Sequence, residues 1–270
     1  MKKWIVGMCV ALASVASQAG TLQVDRLDGV HEVQVFGGVE VEISQGDSAE
    51  MLIRGSDDAL QKEPFYVRGD TLVLGVSRQY PDSSFAGVKY KLTVPQLREI
   101  RIAGSGDVYV RPFTVDDLDV RIDGSGDVRL FALNADSANL FVSGSGNVQL
   151  AEAELGDLEM LISGSGDIAL GEVAVNRVEA TITGSGDISI KSATRAAKDL
   201  EIKIIGGGDA DLSPLDGEVA EIKIIGSGDV RVGAVGQLEV SIVGSGDVYY
   251  AGKPDIDQTV IGSGDLKRRD

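Results

Sequence analysis

From about residue 98 onward, apolar and polar positions alternate with a period of two. Leu118, Val120 and Ile122 alternate with Asp119, Arg121 and Asp123, and after a break Val128 and Leu130 flank Arg129. Twenty residues on, Ala138, Leu140 and Val142 lead to Val148 and Leu150; then Leu158, Met160 and Ile162 lead to Ile168 and Leu170. Val178, Ala180 and Ile182 with Ile188 and Ile190 repeat the pattern again. Period two with β-branched residues predicts strands that bury one face. A weaker apolar pair follows the second strand of each unit: Leu133 and Ala135, Ala153 and Leu155, Val173 and Val175. Each unit therefore predicts about three short strands and three corners.

The break inside each unit is a fixed motif. Gly-Ser-Gly-Asp or a near variant begins at Gly104, Gly124, Gly144, Gly164, Gly184, Gly206, Gly226, Gly244 and Gly262, at spacings of 20, 20, 20, 20, 22, 20, 18 and 18. Asn147 replaces one Asp and Gly207 one Ser. A propeller blade needs four strands in roughly 40 residues, and a 20-residue unit without helical periodicity excludes helical and leucine-rich repeats. One coil per repeat, each strand pairing with its equivalent one coil on, predicts an all-β parallel β-helix. The crossover rule for parallel strands makes it right-handed. At about 4.8 Å per coil, the eight intervals span about 38 Å.

Residues 20–97 are expected to form the N-terminal β portion, capping the regular repeats of residues 98–270 within one continuous domain, because an exposed coil cannot bury its end. Val39-Glu40-Val41-Glu42-Ile43 after Gly37-Gly38 reads as an early coil, interrupted by loops around Gln61–Pro64 and Arg78–Gly87. At the other end, Leu266-Lys267-Arg268-Arg269-Asp270 places charge on the open edge. Residues 1–19 read as a signal peptide: Lys2 and Lys3, an apolar run from Trp4 to Val15, and Ser17-Gln18-Ala19 as a small-x-small cleavage site. The run is too short for a mature membrane span, and no other stretch reaches 18 apolar residues. The one cysteine, Cys9, lies within this segment, so the mature chain is expected to hold no thiol, disulfide or Cys–metal site.

Composition narrows the partners. The 25 Lys and Arg stand against 42 Asp and Glu, a net charge of −17 that becomes −19 with the loss of Lys2 and Lys3. This argues against nucleic acid, whose phosphates need clustered cations, and against docking on anionic lipid. Glycine is abundant at 35 residues and proline scarce at 6, which excludes collagen-like and Pro-rich disordered chains.

Stacked turns would align Asp107, Asp127, Asp167, Asp187, Asp209, Asp229, Asp247 and Asp265, with Asn147 in line, beside a ladder of serine hydroxyls. Two carboxylates about 5 Å apart repel by roughly 1–3 kcal/mol. A carboxylate accepting backbone N–H bonds in its own turn gains about 1.5–3 kcal/mol, so the row is expected to stand without metal or other cofactor. The competing reading is a ladder of Ca²⁺ sites, as in Gly-rich nonapeptide rolls; those carry two turns in every coil, whereas this chain has one turn per 20 residues. A phosphate cradle needs a following helix, and here a strand follows. His31 is the only histidine, so a Ser-His-Asp triad could be built only there; near the N-terminus it reads as a surface or capping residue. Tyr109, Tyr249 and Tyr250 read either as a sugar-stacking patch or as aromatics that favour strands.

From Val33-Gln34-Val35 through Val39–Asp47, Leu72-Val73-Leu74 and Leu92-Thr93-Val94-Pro95-Gln96-Leu97 to the Gly-Ser-Gly-Asp turns, the chain resembles the auto-transporter adhesin head domains, the head GIN-domain family. The close, Val248-Tyr249-Tyr250-Ala251-Gly252-Lys253-Pro254 and then Gly262-Ser263-Gly264-Asp265, is similar as well. The resemblance implies a β-helical, exported bacterial envelope protein and offers no catalytic residues to carry over. No membrane barrel follows the repeats, so export is expected to rely on the signal peptide, placing the protein in the periplasm or at the cell surface. The expected function is non-enzymatic, adhesin-like binding or scaffolding, with a glycan or an envelope protein as partner. A carbohydrate-active enzyme on the same fold is the alternative.

Overall fold

The computed structural model describes residues 20–25 and 27–269, so the expected signal segment and Cys9 lie outside the described residues. The chain folds as a β-solenoid of about eight turns with coils of about 20 residues. Equivalent strands pair in parallel and in register. Asp117–Gly124 lies between Glu99–Gly104 and Leu133–Gly144, with Gly104, Gly124 and Gly144 aligned. Val128–Leu130 lies between Asp107–Val110 and Val148–Gly164.

The inward set is the one that period two selects. Ile122, Val142, Ile162, Ile182, Ile204 and Ile224 stack in one column, all fully buried. Burying such side chains yields about 1.5–3 kcal/mol each, the main force holding coil to coil. Three short strands per coil are not seen throughout. Val148–Gly164 is one 17-residue strand, so the Gly-Ser-Gly-Asp turn is the only interruption of strand between Val148 and Ile168.

The motif glycines are required by the stacking. A Cβ on Gly124 would lie 2.2 Å from the Gly104 carbonyl oxygen, and one on Gly126 only 2.1 Å from that of Gly106. The first glycine of each motif also has positive φ, 151° at Gly124, whereas the third does not. Backbone thus sits on backbone where no side chain fits.

At the N-terminal end, coil order departs from chain order. Glu32–Gly37 and Glu40–Gln45 form a coil directly beneath Glu99–Gly104 and Asp107–Val110, so residues 46–98 are an excursion. Within it, Thr71–Leu74 and Lys89–Val94 pair in parallel with the outer side of that coil. Antiparallel strands then cover the flank: Glu50–Arg54 between Thr21–Asp25 and Lys89–Val94, and Phe65–Arg68 against Thr71–Leu74. The buried Tyr90 ties the excursion together, its hydroxyl donating to the Pro64 carbonyl at 2.7 Å and accepting from the Gly75 amide at 3.2 Å. Burial pushes its phenol well above the usual range. Among the described residues, no helix is long and apolar enough to cross a membrane.

Candidate functional site

The turn aspartates align as the repeat demands, but their hydrogen bonds run between coils rather than within each turn. Asp187 Oδ1 accepts from the Asp209 amide at 2.8 Å, and the Asp187 amide donates to Asp167 Oδ1 at 2.9 Å. The same link joins Asp107 to Asp127, Asp127 to Asn147, Asn147 to Asp167, and Asp209 through Asp229 and Asp247 to Asp265. The glycine before each Asp carries no side chain, so coils approach closely enough for a carboxylate to reach the next amide. Each bond to an ionised acceptor contributes about 1.5–3 kcal/mol where water is excluded, less at these half-exposed turns. Asn147 fits the row and adds a bond, its Nδ2 donating to Asp127 Oδ1 at 2.9 Å. The motif serines are exposed, and among the described residues no hydroxyl-to-hydroxyl bond joins them. Their amides bind the previous coil, as Ser125 N–H does to the Gly104 carbonyl at 2.9 Å.

At the C-terminal end the free carboxylate oxygens meet cations. Lys267 Nζ lies 2.6 Å from Asp247 Oδ2 and 3.3 Å from Asp265 Oδ2. The bond to Lys267, then that from the Asp265 amide, holds the Asp247 carboxyl below its usual range; Lys267 in turn is pushed up to about 12, chiefly by Asp247.

The three tyrosines form no common patch. Seven coils separate Tyr109 from Tyr249, about 34 Å along the axis. Arg129 covers the Tyr109 ring at 5.7 Å, Arg231 and Lys267 cover Tyr249 at 5.1 and 5.7 Å, and Tyr250 packs on the core. His31 is half-buried, its Nε2 3.7 Å from Asp70 Oδ2. Among the described residues, no serine hydroxyl bonds to its ring.

A second column is more extensive than the turn row. Five residues before each motif glycine, Glu99, Asp119, Asn139, Glu159, Glu179, Glu201, Glu221, Glu239 and Asp257 stand in register, with Glu32 below Glu99. The offset from each motif glycine is fixed, but the residue type varies among Glu, Asp and Asn, so no motif marks the column in the sequence. Burial, then repulsion from Glu32 and Asp119, pushes the Glu99 carboxyl up.

Beside this column the outward positions two residues on are Arg121, Phe141 and Leu161, and between the two rows lies a groove of about 320 Å³. Glu99, Asp119, Asn139 and Glu159 form its acidic wall; Arg121, Phe141 and Leu161 form the other. The Arg121 guanidinium lies 4.1 Å over the Phe141 ring, and Asn139 Nδ2 donates to Asp119 Oδ1 at 2.6 Å. Asp123 fixes the arginines, accepting from Arg121 Nε at 3.0 Å and Arg101 Nη2 at 2.8 Å. Burial opposes ionisation of Asp123, but these two guanidiniums outweigh it and hold the carboxyl below its usual range. The groove thus offers carboxylate acceptors along one side and, along the other, the part-exposed apolar surface of Leu161 and of the Phe141 ring, one face of which Arg121 covers.

Solved structures share this architecture. A "putative adhesin" from Parabacteroides distasonis is 22% identical, with a TM-score of 0.68 over 94% of this chain and 98% of that one. Another "putative adhesin", from Parabacteroides merdae, is 20% identical, with a TM-score of 0.70 over 93% and 95%. A "putative lipid binding protein" from Parabacteroides distasonis is 21% identical, with a TM-score of 0.69 over 95% and 98%. At these identities the likeness shows the fold alone. No curated protein matches the sequence. The family model described as "Putative auto-transporter adhesin, head GIN domain" matches residues 30–198 and 194–254, nearly the whole described solenoid, and the chain belongs to that family.

Proposed function

We propose that the protein is a non-enzymatic, exported binding protein of the bacterial envelope that holds an extended, hydroxyl-rich ligand, a glycan, along the outward face of the solenoid. The groove beside Phe141 carries this reading. Carboxylates accept hydrogen bonds from hydroxyl groups, and the part-exposed apolar surface of Phe141 and Leu161 suits the C–H groups of a sugar. Both features lie on strands fixed by a buried core, so little is lost in ordering them on binding. The acidic column continues past the groove at one residue per coil, suiting a polymer better than a compact ligand. The adhesin names of the family and of two structural relatives agree with binding at a cell surface.

A glycan array probed with purified protein tests this, followed by solution titration of any captured glycan. Saturable binding that weakens about tenfold or more in Phe141→Ala and Glu159→Gln, with melting unchanged, is the expected result. Equal binding by Phe141→Ala would remove the groove from the reading.

A further inference from the structure

Where the capped end meets the regular coils, three backbones converge. The amides of His31 and Glu32 both donate to the Asp70 carbonyl, at 3.1 and 3.2 Å, and the Arg98 amide donates to the His31 carbonyl at 2.7 Å. Glu32 pairs in register with Thr71 on one side and Glu99 on the other. This brings together one imidazole nitrogen and two carboxylate oxygens, from His31, Glu32 and Asp70, all within 4.8 Å of one another. No other group of three His, Cys, Asp or Glu side chains among the described residues is so placed.

The imidazole has unused bonding capacity. Among the described residues its buried Nδ1 has no partner, and Nε2 stands 3.7 Å from Asp70 Oδ2, too far for a hydrogen bond. Among the described residues, Glu32, Asp70 and the neighbouring Glu99 form no ion pair with lysine or arginine. Glu32 is already oriented, since Thr71 Oγ1 donates to its Oε2 at 2.7 Å, and among the described residues Oε1 has no hydrogen-bond partner.

We propose that His31, Glu32 and Asp70 bind one zinc-class divalent cation. Imidazole nitrogen with carboxylate oxygen is a donor set suited to Zn²⁺, whereas Ca²⁺ and Mg²⁺ take oxygen ligands. Tetrahedral bonds of about 2.0–2.2 Å place ligand atoms about 3.4 Å apart. Closing from within 4.8 Å needs side-chain rotation only, which the half-exposed Asp70 allows. Three protein ligands leave a fourth position for water. The Thr71 hydroxyl supports the Glu32 ligand from behind, the usual role of a second layer around a metal. Glu32 adjoins the groove wall at Glu99, but the ligand set does not rest on glycan binding there.

The sequence supplies its own probe, because His31 is the only histidine. Untagged, chelator-treated protein is titrated with ZnCl₂ while the His31 ring signals are followed by NMR and stoichiometry by calorimetry. One Zn²⁺ per chain should bind and shift the His31 ring nitrogens. Affinity should fall about tenfold or more in His31→Gln and Asp70→Asn and stay unchanged in Glu201→Gln. Equal melting temperatures of the metal-free variants separate a lost site from a lost fold, and MgCl₂ should leave the ring signals in place. Zinc binding that leaves the His31 signals unmoved, equal affinity in His31→Gln, or no binding at millimolar zinc would each overturn the proposal.

Discussion

Replacing Gly166 by Ala adds a single methyl group at a turn near the middle of the stack. That methyl would lie 1.9 Å from the Gly146 carbonyl oxygen and 2.9 Å from Val142 Cγ1, with no flexible side-chain end to yield. Relief requires separating two coils at this turn. Forced overpacking alone costs about 1–3 kcal/mol. The separation also weakens two bonds, Gly166 N–H to Gly144 O at 3.2 Å and Asp167 N–H to Asn147 Oδ1 at 3.0 Å, at about 1 kcal/mol each. The total is about 3–5 kcal/mol, and at about 2–4 °C per kcal/mol for a chain of this size the melting temperature should fall by roughly 6–20 °C. The control is Gly207→Ser, which restores the motif where this chain departs from it. There a Cβ meets only Ser227 Oγ, at an ordinary 3.5 Å, so stiffening the unfolded chain should leave stability level or raise it by about 0.4–1 kcal/mol. Thermal unfolding followed by far-UV circular dichroism, repeated in urea, measures both. A Gly166→Ala protein melting with wild type would refute the backbone-on-backbone stacking.

Ile182→Asp puts an unpaired carboxylate at a fully buried position and should cost several kcal/mol, whereas Lys203→Asp on the outward face should stay within about 1 kcal/mol; urea titration of both variants compares them. The Asp247–Lys267 pair sets a pH window for the last coil. The depressed Asp247 stabilises above the ordinary carboxylate range and loses this as pH falls through its folded pKa, and the raised Lys267 stabilises below its ordinary range and loses this as pH approaches about 12. Protection of the Leu266–Arg268 amides, taken relative to intrinsic exchange at each pH, should therefore fall toward both extremes, and Lys267→Gln should remove the alkaline limb. Because the turn carboxylates bond to the next coil's amides, the chelator-treated protein should melt cooperatively. Salt should raise its stability with little preference for Ca²⁺ over Mg²⁺ at matched ionic strength; a large calcium-selective shift abolished by Asp167→Ala with Asp187→Ala would contradict this.

The solenoid was legible because every coil repeats the same constraint. Ile122, Val142 and Ile162 recur 20 residues apart, and the glycines fall where stacking forbids a side chain. The N-terminal order was not legible, because the repeat weakens there. Val39–Ile43 reads as an early coil, but nothing local says that Lys89–Val94 lies beneath it, since that pairing depends on a 50-residue excursion. The turn aspartates were legible as a row but not in their bonding, since a local turn and a link to the next coil use the same Asp. The groove is not legible because its residues share an offset rather than a type, nor is the zinc-class cluster, because Asp70 lies 39 residues from His31 in sequence.

The central functional claim is binding without turnover along the groove face. Its most direct test incubates the purified protein with its best array glycan at saturation, then recovers the glycan by mass spectrometry over a day while binding is measured in parallel. Saturable binding that Phe141→Ala weakens, with the glycan recovered intact at every time, is the expected result. Cleavage products that accumulate with time in wild type and disappear on replacement of a groove carboxylate such as Asp119 or Glu159 would contradict it and establish an enzyme.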